Sequence, residues 1–313
     1  MTALEDLYFK APDGLRLHVL AAGPDTARPD PARPDTVRPD AARLGTATRL
    51  PAICLPGLAR TAEDFREVMQ ALGNDAQAPR RVLALDSRGR GKSERDPNPA
   101  NYSVPVELAD LLAVLAAARI ERAIFVGTSR GGILTMALTA AKPDAIAGAV
   151  LNDIGPVLDM AGLLRIKGYV GKLPKPASMA EAALVLKRTL GSQFPGLSEN
   201  EWQLYARRSF VETASGIEVN YDTKISTWLK DIDASVPAPE MWHLFDGLAQ
   251  ARLMLIRGEH SDLLSLATVA EMKKRRLDME LVEVPGQGHA PLLADQPTVA
   301  RICQFAARCD TAT

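Results

Sequence analysis

The sequence predicts an α/β fold: a mostly parallel sheet with helices on both faces and one helical insertion. Three observations carry this. Short apolar runs alternate with helix-length segments from Pro51 to Leu151. The same alternation returns from Pro237 to Arg308. Between them, from Pro156 to about Val236, the chain is helix-rich, is punctuated by glycine and proline, and loses the alternation. Strands separated by helices pair in parallel, because each crossover has to pass over a face of the sheet. Residues 1–155 and 237–313 are therefore expected to form the core, with 156–236 inserted between two of its strands.

The elements follow in order. Leu4–Lys10 and Leu15–Ala21 alternate around the turn Ala11-Pro-Asp-Gly14, which reads as a β-hairpin. Pro24–Leu50 is different in kind, with Arg-Pro-Asp recurring at 28–30, 33–35 and 38–40. Proline this dense sustains neither a helix nor a central strand, and the apolar content is too low for a core. The segment reads as a flexible or extended insertion. Strands are then predicted at Pro51–Leu55, Val82–Leu85, Ala123–Val126, Ile146–Leu151, Arg252–Ile256 and Glu280–Val284. Helices are predicted at Thr61–Leu72, Pro105–Ile120, Arg130–Ala141, Pro237–Leu248, Leu263–Arg276 and Asp295–Arg308. Pro105 suits a first helical turn, and Glu63 and Asp64 sit where the helix dipole favours anions.

Apolar residues at 47% and charged residues at 24% are the proportions of an ordinary globular protein. A formal net charge of -1 argues against nucleic acid or an anionic membrane as the main partner. The densest basic cluster, Lys273–Arg276, reads as a solvated helix face. No apolar run is long enough to span a bilayer, and Met1–Lys10 lacks the apolar stretch of a secretion signal. The three cysteines, Cys54, Cys303 and Cys309, are odd in number, and Cys54 falls in a predicted buried strand. Reduced thiols and a cytoplasmic home are expected.

Gly127-Thr-Ser-Arg-Gly-Gly132 contains G-x-S-x-G between an apolar strand and an apolar helix. A serine held on so tight a turn needs small neighbours, which Gly127 and Gly131 supply, and Gly132 lets the helix pack closely. Ser129 is the candidate nucleophile, and a serine needs an adjacent base. Of four histidines, His18 lies in the hairpin, His243 in a helix and His260 beside an acidic cluster. His289 lies in the turn-rich loop Pro285–Pro291 after the last strand, where a loop presents an imidazole to the strand ends. The acid is expected between them in the chain. Asp262, in Arg257–Asp262 after the strand Arg252–Ile256, is the choice. Asp153, ending the strand Ile146–Leu151, is the main competitor, and Glu259 is closer to its strand end. Oxyanion donors are expected from the N–H of Arg130, after the nucleophile, and of Leu58, in the loop Leu55-Pro-Gly-Leu58. Asp86–Ser93 has the look of a glycine-rich phosphate loop but lacks the Walker spacing and a following helix, so it reads as a structural turn. Cys54 as a rival nucleophile yields to the reading of a buried structural thiol.

Taken together, LPGL at 55–58, DSRGRGKS at 86–93, GTSRGG at 127–132, RGEHSD at 257–262 and GQGHAP at 286–291 resemble the α/β-hydrolase superfamily over nearly the whole chain from residue 4. The resemblance implies an eight-stranded, mostly parallel sheet and a helical cap after the sixth strand. It implies hydrolysis of an ester, lactone, thioester, amide or C–C bond. Where the family often has His-Gly, this chain has Pro56-Gly57, which keeps the backbone donor but removes an imidazole. Dehalogenase and epoxide-hydrolase relatives carry an aspartate at the elbow, so Ser129 argues against both. The expectation is a serine hydrolase acting on a small or medium, partly apolar carboxylic ester. The alternatives are a lactonase or a C–C bond hydrolase of a ring-cleavage product. A catalytically inactive binding protein of this fold is disfavoured because no triad position is damaged. Nine of the fifteen aromatic residues lie in 157–250, either roofing a pocket or building the cap's own core. No metal cluster or cofactor motif is visible, and the expected partner is a small-molecule substrate.

Overall fold

The computed structural model describes residues 4–24, 29–30, 33–37, 49–75 and 78–311. Eight strands form one sheet: β1 (Glu5–Lys10), β2 (Arg16–Ala22), β3 (Ala52–Leu55), β4 (Val82–Leu85), β5 (Ala123–Thr128), β6 (Ile146–Asn152), β7 (Arg252–Gly258) and β8 (Glu280–Val284). Their spatial order is β1-β2-β4-β3-β5-β6-β7-β8. β2 runs antiparallel to both β1 and β4, and every later pairing is parallel. The helices are α1 (Arg66–Gly73), α2 (Val104–Ala117), α3 (Arg130–Ala141), α4 (Met160–Tyr169), α5 (Met179–Leu190), α6 (Glu199–Ser209), α7 (Trp242–Asp246), α8 (Leu266–Arg275) and α9 (Gln296–Asp310).

The central strands are apolar on both faces, as a sheet covered on both sides requires. Leu55, Phe125, Leu151 and Leu255 point to one side and pack with Leu111 of α2 and Leu134 of α3. Their chain neighbours Cys54, Val126, Val150 and Ile256 point to the other and pack with Met69 of α1 and Phe305 of α9. Register then places the site. Leu55 lies opposite Gly127, and Asn152 lies opposite both Thr128 and Ile256. The C-terminal ends of four adjacent strands are thus level, and the loops leaving them share one rim.

Between β6 and β7 the helical segment holds a core of its own, in which Trp202 stacks on Tyr205 at 6.0 Å and meets Phe194 edge-on at 6.3 Å. The helix-rich reading of this stretch missed an antiparallel pair, Phe210–Thr213 with Gly216–Val219. The turn joining them closes through Gly216 at φ 109, a conformation glycine adopts without strain. The helix expected over Pro237–Leu248 is only the short α7, running into a 3₁₀ turn at Gly247–Gln250. Pro237 and Pro239 supply no N–H there, which delays the start. The flexible-insertion reading of Pro24–Leu50 falls largely outside the described residues. Within it, Pro29–Asp30 pairs antiparallel with Arg33–Val37.

The seat of α3 on the sheet depends on a missing side chain. A Cβ on Gly131 would lie 1.9 Å from the Leu55 carbonyl oxygen, a backbone atom of β3. Gly131→Ala is expected to cost at least ~2 kcal/mol, or about 4 °C or more in Tm for a domain of this size. Thermal melting followed by circular dichroism checks it, and an unchanged Tm would mean that α3 is not seated this closely.

Candidate active site

Ser129 follows β5 directly and opens α3 with φ 49 and ψ −112, a backbone conformation costly for a residue with a Cβ. The turn is possible because its neighbours are bare. A Cβ on Gly127 would lie 2.6 Å from the Gly131 backbone, and one on Gly132 would lie 2.3 Å from Ile154. The turn leaves Ser129 Oγ 2.9 Å from His289 Nε2. The imidazole is buried, and its Nδ1 lies 2.8 Å from Asp153 Oδ2. The backbone N–H of His289 donates to Gln193 Oε1 at 2.9 Å, so the histidine loop is held from the helical segment.

The carboxylate at the ring is therefore Asp153, the competitor in the sequence reading, and not Asp262. Asp262 is instead bound in bidentate fashion by Arg165 of α4, at 2.6 and 2.7 Å. Glu259 accepts from the Gly286 N–H instead. Asp153 is fully buried at φ 54, a left-handed conformation that aspartate tolerates better than most residues. The loop expected to carry the acid supplies donors to it. The Gly258 N–H reaches Asp153 Oδ1 at 2.8 Å and Ser261 Oγ reaches Oδ2 at 2.6 Å. A sequence signal existed. Asn152-Asp153 is a polar pair closing a wholly apolar central strand, and buried polar groups need partners. Asn152 finds them in Thr128 Oγ1 and the Pro291 carbonyl, tying the elbow to the histidine loop.

Leu58 and Ser129 line the same open cleft of about 670 Å³. Among the described residues, the Leu58 N–H has no hydrogen-bond acceptor. Arg130 is the first residue of α3, so its N–H has no acceptor within the helix. Neither N–H named from the sequence is therefore engaged by a backbone acceptor among the described residues.

Sequence reading missed what holds these two loops together. Arg90 Nε donates to the Leu58 carbonyl at 2.8 Å, and Arg90 Nη1 to Glu107 Oε1 at 2.8 Å. Arg130 Nε donates to Glu107 Oε2, also at 2.8 Å. One buried carboxylate on α2 therefore joins the residues on either side of the cleft's base. Burial pushes Glu107 upward, but Arg90 and Arg130 outweigh it and hold the carboxyl below its ordinary range. The rest of DSRGRGKS is equally occupied. Arg88 is clamped by Asp110 at 2.6 and 2.7 Å and by Asp96, while Asp86 accepts from Ala62 and Lys92 N–H groups and contacts His18 Nδ1. Both arginines are buried and paired with carboxylates of α2, Arg88 with Asp110 and Arg90 with Glu107, in keeping with a structural turn. Burial pushes the Cys54 thiol far upward, which leaves it protonated and unreactive. Among the described residues no cluster of three or more metal-ligating side chains occurs, and no helix is long and apolar enough to cross a membrane.

A sheet of this strand order, with a serine on the strand-to-helix elbow, defines a hydrolase of the α/β-hydrolase class. The chain belongs to the alpha/beta hydrolase family, whose model matches residues 52–301. It is 32% identical to a 3-hydroxybutyrate-oligomer hydrolase of Cupriavidus necator over 260 residues, covering 81% of this chain and 87% of that protein. A 107-residue stretch is 36% identical to the esterase YbfF of Escherichia coli, covering 34% of this chain and 39% of the relative. A crystal structure of an alpha/beta hydrolase from Novosphingobium aromaticivorans superposes with a TM-score of 0.84 at 39% identity, covering 98% of this chain and 99% of that one.

Glu107 offers a direct test of the buried cluster. Glu107→Ala leaves the buried Arg90 and the partly buried Arg130 short of their counter-charge and is expected to destabilise by ~3–5 kcal/mol, read as a lower urea midpoint at unchanged m. Because the folded carboxyl titrates below its unfolded counterpart, its stabilisation is full above the ordinary glutamate range and is lost as pH falls through the depressed value. The gap between wild type and Glu107→Gln should therefore narrow on acidification. A gap independent of pH would mean that the charge does not matter.

Proposed function

We propose that this protein is a serine carboxylic-ester hydrolase, with Ser129 as nucleophile, His289 as general base and Asp153 as the acid that orients it. The observation that carries the reading is the unbroken line from Ser129 Oγ through both nitrogens of His289 to Asp153 Oδ2. Ser129 attacks the ester carbonyl as its proton passes to His289 Nε2. The negative oxygen that forms is held by the Leu58 and Arg130 N–H groups. Asp153 fixes the tautomer with the proton on Nδ1 and stabilises the imidazolium. Collapse of the adduct expels the alcohol, which takes the proton back from His289. Water repeats the sequence on the acyl-enzyme.

The helical segment 156–236 acts in this reading as a cap. Ile166, Val170, Leu173, Leu186 and Leu190 give the cleft an apolar wall facing the serine, suited to a small or medium chain. The relatives named as an esterase and as a hydrolase of 3-hydroxybutyrate oligomers support an ester as substrate.

Ser129→Ala is expected to abolish turnover of 4-nitrophenyl butyrate and labelling by a fluorophosphonate while leaving the melting curve in place. Retention of more than about one part in a hundred of wild-type kcat would remove Ser129 as nucleophile. Faster turnover of a vinylogous diketone than of any ester would move the reading to C–C bond hydrolysis.

The acid separates the two aspartates. Asp153→Asn should lower kcat by about a hundredfold or more, since it removes the charge beside the ring, whereas Asp262→Asn should stay within about tenfold. The opposite order, with both variants folded by circular dichroism, would return the role to Asp262.

A further inference from the structure

We propose that the cleft receives an ester that also carries a carboxylate, bound at the polar wall formed by Arg60 with the hydroxyls of Tyr205 and Tyr169. The proposal rests on the reading of Ser129 as the nucleophile of an ester hydrolase. Arg60 stands two residues beyond Leu58, and the turn closed by the Arg60 N–H on the Gly57 carbonyl folds it back toward the serine. A Cβ on Gly57 would lie 3.4 Å from Arg60 Cγ and 3.7 Å from Ser129 Cβ, so the arginine stem and the nucleophile flank the same glycine. A cation thus stands in the wall of the cleft, within a short chain's reach of the reacting serine.

Its hydrogen-bonding capacity is only partly used. Arg60 Nε donates to Asp64 Oδ2 at 2.5 Å, and Nη1 donates to the Tyr205 hydroxyl. Among the described residues, Nη2 makes no hydrogen bond to the protein and stays open to solvent or a ligand. Burial works against the charge of Arg60, but Asp64 outweighs it, and the guanidinium stays protonated. Tyr205 accepts from Arg60 and so keeps its own O–H to give. Tyr169 lines the cleft next to it, with Arg60 and Arg165 nearby. Burial raises both phenols above their ordinary range, so both remain neutral donors near pH 7. Arg165, fixed through Asp262, keeps a buried Nη1 without a partner. Asp64 and Asp262 each bind their own arginine, and no carboxylate lines the cleft among its described residues.

The wall is therefore rich in donors and contains one cation, paired on one edge with Asp64, beside the apolar side chains of Ile166, Val170, Leu173, Leu186 and Leu190. A neutral alkyl ester seated against this wall would displace water from these donors without answering them, which is unfavourable. A carboxylate answers them through charge-assisted hydrogen bonds, of which arginine makes the strongest. The ligand that fits is an apolar chain of medium length with the scissile ester near one end and a carboxylate at the other.

The test compares kcat/KM for matched pairs of substrates. One pair places the charge on the acyl side: 4-nitrophenyl hydrogen adipate against its methyl ester. The other places it on the alcohol side: 4-(butanoyloxy)butanoate against its methyl ester, followed by pH-stat. Wild type is expected to prefer the carboxylate member of at least one pair by about tenfold or more, a preference that weakens with added salt. Arg60→Gln should bring that ratio close to one, and Arg60→Lys should keep part of it. Wild-type turnover with no preference in either pair, or a ratio unchanged in a folded Arg60→Gln, overturns the proposal and leaves the serine reading standing. Absence of turnover in all four esters, with no fluorophosphonate label on Ser129, overturns both. The wild-type comparison holds whether or not a variant folds.

Discussion

The left-handed backbone at Ser129 is the constraint on which the rest of the site depends. Such a conformation costs on the order of 1–3 kcal/mol for a residue with a Cβ and persists only where its surroundings over-determine it. Here β5 is locked between β3 and β6, and α3 is pressed so closely onto β3 that Gly131 has no room for a methyl group. The sheet thus fixes where the strand ends, and the helix fixes where the chain resumes. The serine bridges the two in the geometry they leave.

Around that point the site is assembled from rigid parts. Asp153 is held by donors from the loop after β7, and the His289 backbone by Gln193 from the helical segment. Gln193 also reaches Asp262 at 3.4 Å, so the Arg165–Asp262 pair and the histidine loop share one anchor. On the other side, Glu107 joins Arg90 to Arg130 beneath the cleft. These bonds are buried or partly buried, where loss of one partner costs far more than at the surface. The same pairing governs the glycine-rich turn 86–93, whose Arg88 and Arg90 are held by Asp110 and Glu107 of α2.

How much of this was legible depends on how local each signal was. The elbow was readable because glycine spacing is a property of six consecutive residues, and the sheet because buried strands are continuous apolar runs. His289 was readable because few histidines sit in a loop after a strand. The acid was not, since several carboxylates follow strands and only packing decides which one meets the ring. Its place after the penultimate strand favoured Asp262, and a helix from the insertion claimed it through Arg165. Glu107 was invisible for a related reason. A glutamate in the first turn of a helix looks like a partner for the dipole, and only the docked helix shows it turned inward. The aromatics divide between the two readings they allowed. Phe194, Trp202 and Phe210 build the insertion's own core, Tyr169 and Tyr221 line the cleft, and Tyr205 belongs to both.

The hydrogen-bonded line at the serine joins residues 160 and 136 positions apart in the chain. Loop closure over such distances comes late in folding, after local helices and neighbouring strands have formed. As the chain leaves the ribosome, the elbow and Asp153 emerge long before His289, which lies in the last loop before α9. On the reading of His289 as base, a chain cut before that loop would carry the serine without it. On the proposed reading the base reaches the serine only once the C-terminal strand and helix have docked, which ties activity to the complete fold rather than to any one segment of it.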